Sequence, residues 1–220
     1  ARSGRGDARH ADASKAAALP LLAGARGVEE VEFVGYGVRY CDVKKRTRVF
    51  GGVLSSLAAA AGTWPSVRLL RLSWNNLSYL GDGVGHDLVS LLACTPQLEE
   101  LDLSDNDLGE AVVRAVLQSL GRHCSQLQRL VLTQACVPLG RLAVMLRPLS
   151  LQLPRLHLLD ISDPGESQGL SRKEASALAE WQMPSLTCLR MGDRELVRHG
   201  TAAFATAAAR MRALPSMACN

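Results

Sequence analysis

The sequence predicts an α/β solenoid: a parallel concave sheet of about six short strands, curved into a horseshoe, with helices on its convex side. Three observations lead there. The stretch from Gln97 to Gly109, QLEELDLSDNDLG, spaces Leu98, Leu101, Leu103 and Leu108 around Asn106 in the order L-x-x-L-x-L-x-x-N-x-L. That spacing recurs with first positions at Val67, Leu98, Leu127, Leu156 and Leu186, a unit of 29 to 31 residues. Four starts also follow a similar phrase: Trp64-Pro65-Ser66, Thr95-Pro96-Gln97, Leu153-Pro154-Arg155 and Met183-Pro184-Ser185. Proline there is expected to end the preceding helix and set an extended entry into the strand.

Within a unit, Leu101 and Leu103 point one way along a short strand while Glu100, Asp102 and Ser104 point the other. The amide of Asn106 is placed to bond backbone groups that the bend leaves unpaired. One such segment buries too little to fold alone, so its neighbours must supply the rest of the core. They are Leu70, Leu72, Asn75 and Leu77 before it, and Leu130, Leu132, Ala135 and Val137 after it. Leu159 with Ile161, then Leu189, Met191 and Leu196, continue the series. These motifs resemble the leucine-rich repeat family, and the unit length is similar to its long, ribonuclease-inhibitor-like branch. The resemblance covers roughly residues 28 to 217. It implies a full convex helix in each unit and names no ligand, since one fold serves many partners.

Taken in order, residues 1–11 hold almost nothing apolar and read as a flexible arm. Residues 12–27 read as a capping helix, with Asp12 or Ser14 at its start and Gly24 at its end. The repeats, about six, fill 28–216. The first is degenerate, with Val28, Val31, Phe33 and Val38 as core positions and Tyr36 where asparagine would stand. It carries extra length around Tyr40 to Phe50, including Lys44, Lys45, Arg46 and Arg48, a possible contact for phosphate or an acidic surface. Apolar spacing predicts helices over 51–61, 84–93, 109–120, 139–149, 171–182 and 196–212. In the third, Val112, Val113, Val116, Leu117 and Leu120 form the face laid on the sheet. Asparagine stands at the turn only in units two and three, so the turns holding Ala135, Pro164 and Arg194 are expected to be less regular. Leu214-Pro215-Ser216-Met217 repeats the phrase before a strand, so 217–220 begin a seventh unit that is expected to continue or to be covered by a partner.

Composition fits this plan. The 220 residues are 47% hydrophobic but only 4% aromatic, as a layered core of Leu, Val and Ala requires. No apolar run approaches the roughly 20 residues that span a bilayer, so a soluble chain with no membrane partner is expected. Cys41, Cys94, Cys124, Cys136, Cys188 and Cys219 show no CxxC pattern and read as reduced, small core residues of a cytoplasmic protein, with nuclear or organellar settings left open. The chain opens on Ala1 without an apolar signal segment, as a fragment or a processed form would.

Three motifs suggest chemistry and are better read otherwise. Arg5-Gly6-Asp7 spells an integrin-binding tripeptide, yet falls in the arm of a chain with reduced cysteines. Gly81-Asp82-Gly83-Val84-Gly85 invites comparison with a phosphate cradle, but its third glycine is one residue early and no lysine follows; a loop lengthened by two residues accounts for it. Gly165-Glu166-Ser167-Gln168-Gly169 matches a nucleophile elbow, with Asp193 and His199 following in hydrolase order. Asp163-Pro164 separates it from the strand, and Asp193 and His199 belong to the next unit. The five histidines show no metal spacing. No catalysis, metal, cofactor or small-molecule substrate is expected.

Function is expected on the concave face, where equivalent positions of parallel strands line up. One column reads Glu30, Leu69, Glu100, Arg129, Leu158 and Cys188; the next reads Glu32, Arg71, Asp102, Val131, Asp160 and Arg190. Past the strand ends come Gly35, Trp74, Asp105, Gln134, Asp163 and Asp193. These columns hold eight carboxylates and three arginines in a chain of net charge +4. Such a face would steer a basic protein partner toward it, with Trp74, Leu69 and Leu158 as exposed apolar contacts. The expected role is a non-catalytic scaffold, a subunit of a larger assembly. Two alternatives are a small-GTPase regulator of the repeat-type activator kind and an RNA- or ribonucleoprotein-associated subunit acting through 44–48.

Overall fold

The computed structural model describes residues 27–35, 54–59, 64–80, 83–162 and 185–190. Six strands of three residues form one parallel sheet: β1 (Glu30–Glu32), β2 (Leu69–Arg71), β3 (Glu100–Asp102), β4 (Arg129–Val131), β5 (Leu158–Asp160) and β6 (Cys188–Arg190). Each pairs with the next in chain order. Parallel neighbours need a long crossover. Between the strands run the helices α1 (54–59), α2 (Gly83–Ala93), α3 (Gly109–His123) and α4 (Leu139–Leu146). The arrangement is leucine-rich-repeat-like.

Register follows from the buried leucines. Val31, Leu70, Leu101, Leu130, Leu159 and Leu189 sit opposite one another at the centre of their strands, and all are buried. A slip of one residue would turn every one of them outward. Leu72, Leu103, Leu132 and Ile161 form a second buried row, and Val67, Leu98, Leu127, Leu156 and Leu186 a third. Met191, expected to continue the second row, lies outside the described residues, as do the arm, the capping segment up to residue 26, the basic segment 44–48, Tyr36, and residues 163–184 and 191–220.

Ahead of β2, β3, β4 and β5 the chain makes a β-turn. The N–H groups of Val67, Leu98, Leu127 and Leu156 donate to the carbonyls of Trp64, Thr95, Cys124 and Leu153 at 3.0 to 3.3 Å. Pro65, Pro96 and Pro154 therefore occupy the second turn position, where a fixed φ is favourable. This corrects the reading of proline as setting an extended entry. Trp64, Thr95, Cys124 and Leu153 stack as a buried column beneath those turns. Burial pushes the Cys124 thiol up to about 12. Cys124 is thus the small core residue expected, whereas Cys136 is exposed and Cys94 and Cys188 are half-buried.

The helices depart from expectation at their ends. Gly83 and Gly85 lie in the first turn of α2, preceded by a 3-10 turn at Leu77–Leu80, so the glycine stretch is partly helix rather than a lengthened loop. α3 buries Val113, Val116, Leu117 and Leu120 as expected, leaves Val112 half-buried and runs on to His123. α4 stops at Leu146 and tightens into a 3-10 turn at Arg147–Leu151, since Pro148 has no N–H to donate.

Candidate functional site

The strand ladder continues beyond the strands into the turns, and this fixes the outward columns. The N–H groups of Gly35, Trp74, Asp105 and Gln134 donate to the carbonyls of Ser73, Ser104, Thr133 and Ser162 at 2.8 to 3.1 Å. Each donor has a positive φ: 75°, 63°, 57° and 53° in that order. All four residues are thereby held at one level of the stack. The columns beginning at Glu30 and Glu32 are aligned by the strand pairing itself, Glu30 with Leu69 and Glu100, then Arg129, Leu158 and Cys188, and Glu32 with Arg71, Asp102, Val131, Asp160 and Arg190.

Asparagine holds the turns from within. The Asn106 amide donates to the carbonyls of Leu72, Leu103 and Ser104 at 2.8, 2.9 and 3.1 Å, and its oxygen accepts from the Asn75 N–H at 2.8 Å. The Asn75 amide in turn donates to Phe33 and Leu72 carbonyls at 2.6 and 2.7 Å. The side chain thus ties one unit to the unit before it. The turn with Ala135 was expected to be irregular, yet Gln134 and Cys136 repeat the left-handed pair seen at Asp105 and Asp107, at 53° and 52°. The turns of Pro164 and Arg194 lie outside the described residues.

The sheet's outer surface is less freely acidic than a count of carboxylates suggests. Among the described residues the three columns hold Glu30, Glu32, Glu100, Asp102, Asp105 and Asp160 against Arg71, Arg129 and Arg190; Asp163 and Asp193 lie outside. Arg71 sits between two units and donates to Glu100 at 2.8 and 2.9 Å and to Glu32. The bond to Glu100 is the main cause raising the Arg71 guanidinium above its ordinary value, opposed by partial burial and aided by Glu32. Glu100 also faces Arg129 at 3.5 Å, and Arg190 lies 3.6 Å from Asp160. Lone surface pairs are worth about 0 to 1 kcal/mol, so their chief effect here is to orient the charges.

Two aspartates are braced by hydroxyl residues. Asp102 accepts from the Ser104 N–H at 2.9 Å and hydroxyl at 2.6 Å. Asp160 accepts from Ser162 N–H and the Thr133 hydroxyl, both at 3.2 Å. Trp74 is 44% exposed at the strand exit. Leu69 and Leu158, expected to be exposed, are half-buried between their charged neighbours. One feature was missed: Arg68, ahead of β2, pairs with Glu99 at 3.5 Å. Together with Glu30, Leu69, Glu100 and Arg129 they frame a shallow trough of about 420 Å³. Extending each column one residue ahead of its strand would have found it.

Among the described residues no helix is long and apolar enough to cross a membrane, and no three metal-binding side chains cluster. Ser167, His199 and the glycine-flanked serine motif lie outside the described residues. No model of a known protein family matches the chain, nor does any curated protein sequence. Among solved structures, the chain is similar to the tropomodulin C-terminal domain of Caenorhabditis elegans, with 15% identity and a TM-score of 0.43 over 91% of this chain and 95% of that chain.

Proposed function

We propose that the chain is a non-catalytic protein-interaction solenoid of the long-unit, ribonuclease-inhibitor-like kind, whose concave face takes a basic segment of a protein partner. The observation that carries this reading is the register that lines up Glu30 with Glu100 and Glu32 with Asp102 across β2, and sets Asp105 at the level of the exposed Trp74. Carboxylates outnumber arginines there by six to three among the described residues, so the surface favours cations even after its internal pairs are made. An aromatic ring amid charges supplies apolar area and a seat for a guanidinium or ammonium group. The braced aspartates are held in place before a partner arrives, which lowers the ordering cost of binding. A cytoplasmic setting and membership of a larger assembly belong to the same proposal.

The test uses crosslinkers placed at Trp74 and Glu30 in cell extract, followed by affinity measurements on the captured partner. Glu100→Lys is a poor probe because it would break the pairs with Arg71 and Arg129. Glu30→Gln with Asp102→Asn keeps the backbone bonds, and is expected to weaken binding about tenfold at low salt, with a smaller loss at high salt. Unchanged affinity at low salt would remove the acidic face from the account.

A further inference from the structure

The convex side carries a surface opposite in sign to the sheet. α2 and α3 close on each other: Gly85 leaves room for Val112, whose Cγ2 lies 3.7 Å from the place of a Cβ, and the Ser119 hydroxyl donates to the Val89 carbonyl at 3.4 Å. α3 and α4 do not close this way. α4 has 8 residues against 15 in α3, and a groove of about 630 Å³ runs along α3 from Glu110 to Arg122. Its floor is Leu117, Met145 and Leu149, and its rim carries Arg122, Arg141 and Val144, the last 49% exposed. Gly121 lets Gln152 close one end, since a Cβ there would overlap the Gln152 amide and stand 2.7 Å from Leu149 Cδ2.

Helix stability explains only part of the charge of this groove. Arg114 is paired with Glu110, the one carboxylate in the lining, at 2.5 Å. Among the described residues no carboxylate pairs with Arg122 or Arg141. Arg122 stands in the last turn of α3, where a cation offsets the helix dipole. Arg141 stands in the first turn of α4, where the dipole disfavours a cation and no acidic residue accompanies it.

The geometry points to a second docking surface in the α3–α4 groove, whose occupant is an acidic amphipathic helix of a partner protein. Its apolar face rests on Val144 and Pro148, the exposed apolar residues of the lining, above the buried Leu117 and Met145, and its carboxylates meet Arg122 and Arg141. A nucleic acid would use the arginines and leave the exposed Val144 and Pro148 uncovered, so the lining favours a peptide. α3 is roughly 22 Å long, which matches about 14 residues of such a helix. This surface is independent of the concave reading.

The test measures fluorescence anisotropy of two designed helical peptides of about 14 residues on the full chain, alike except that one carries glutamate and the other lysine beside a leucine stripe. Arg122→Glu with Arg141→Glu is expected to weaken the acidic peptide about tenfold and not to weaken the lysine peptide, which the acidic concave face can take. Val144→Asp is expected to weaken the acidic peptide likewise, and Asp102→Asn to leave it unchanged. Arg141→Glu alone is expected to keep or raise the melting midpoint, because it relieves the dipole conflict, and this separates lost binding from lost folding. No binding of the acidic peptide at low salt, binding of it that Arg122→Glu with Arg141→Glu leaves unchanged, or binding that survives Val144→Asp and is displaced by an RNA oligomer would overturn the proposal.

Discussion

The turns of the third and fourth units follow the same path with different support. Both place two residues in the left-handed region, Asp105 and Asp107 in one, Gln134 and Cys136 in the other. Both donate from the first of these to a carbonyl of the next unit, at 2.8 and 3.1 Å. Yet the third turn is filled by Asn106, with four side-chain hydrogen bonds, and the fourth by the buried methyl of Ala135. The path is therefore set by stacking against neighbours, with Leu132 and Val137 buried on either side of Ala135. Asparagine adds satisfaction of backbone groups, not the shape.

Four measurements would sharpen or break this comparison. The widest contrast is expected between the two thiols of the fourth unit's surroundings. Cys136, exposed and bonded to Asp107 at 3.0 Å, should alkylate in the native protein, and Cys124 only on unfolding, slower by a factor of about a thousand or more. Because burial raises the Cys124 pKa from 9.0 to about 12, the fold favours its neutral form. That contribution is complete below about pH 9 and is lost as pH rises toward 12. Equal labelling of both thiols at pH 8 would contradict the buried column.

Next comes the asparagine itself. Asn106→Ala is expected to cost about 3 kcal/mol in a denaturant titration, since buried backbone groups lose partners. A loss under about 0.5 kcal/mol would mean that the third turn needs its amide no more than the fourth does. Gly109, at φ 74° just past the third turn, sets a smaller effect. Gly109→Ala is expected to cost about 1 to 2 kcal/mol from backbone strain alone, because a Cβ there meets no atom within 4 Å. The smallest effect is in the fourth turn, where Gln134→Asn puts a residue more tolerant of positive φ at 53° and is expected to gain about 0.5 kcal/mol of stability. A loss there would show that the glutamine side chain supports its own turn.

Much of the fold was legible because a repeat states its register several times. The alternation Glu30-Val31-Glu32, Leu69-Leu70-Arg71 and Glu100-Leu101-Asp102 assigns each residue a face, and the common spacing assigns each its neighbour. The helix ends were less legible. The apolar spacing continues from Leu139 through Leu149, and only the missing N–H of Pro148 marks where the α-helix gives way. The outward columns could be written down from the sequence, but a list of charges does not say which of them meet. Glu100 counts as one carboxylate in a column and is in fact shared by Arg71 and Arg129.

By itself the sequence determined the order of the strands, their pairing and the identity of the buried rows, because a period of about thirty residues admits one register that hides the leucines of the repeat positions. Only the tertiary structure decided how much of the acidic face is spent on arginines from neighbouring units, and that α3 packs more closely on α2 than on α4. Those outcomes depend on side-chain reach and on distances between units, which the order of residues along one chain does not contain.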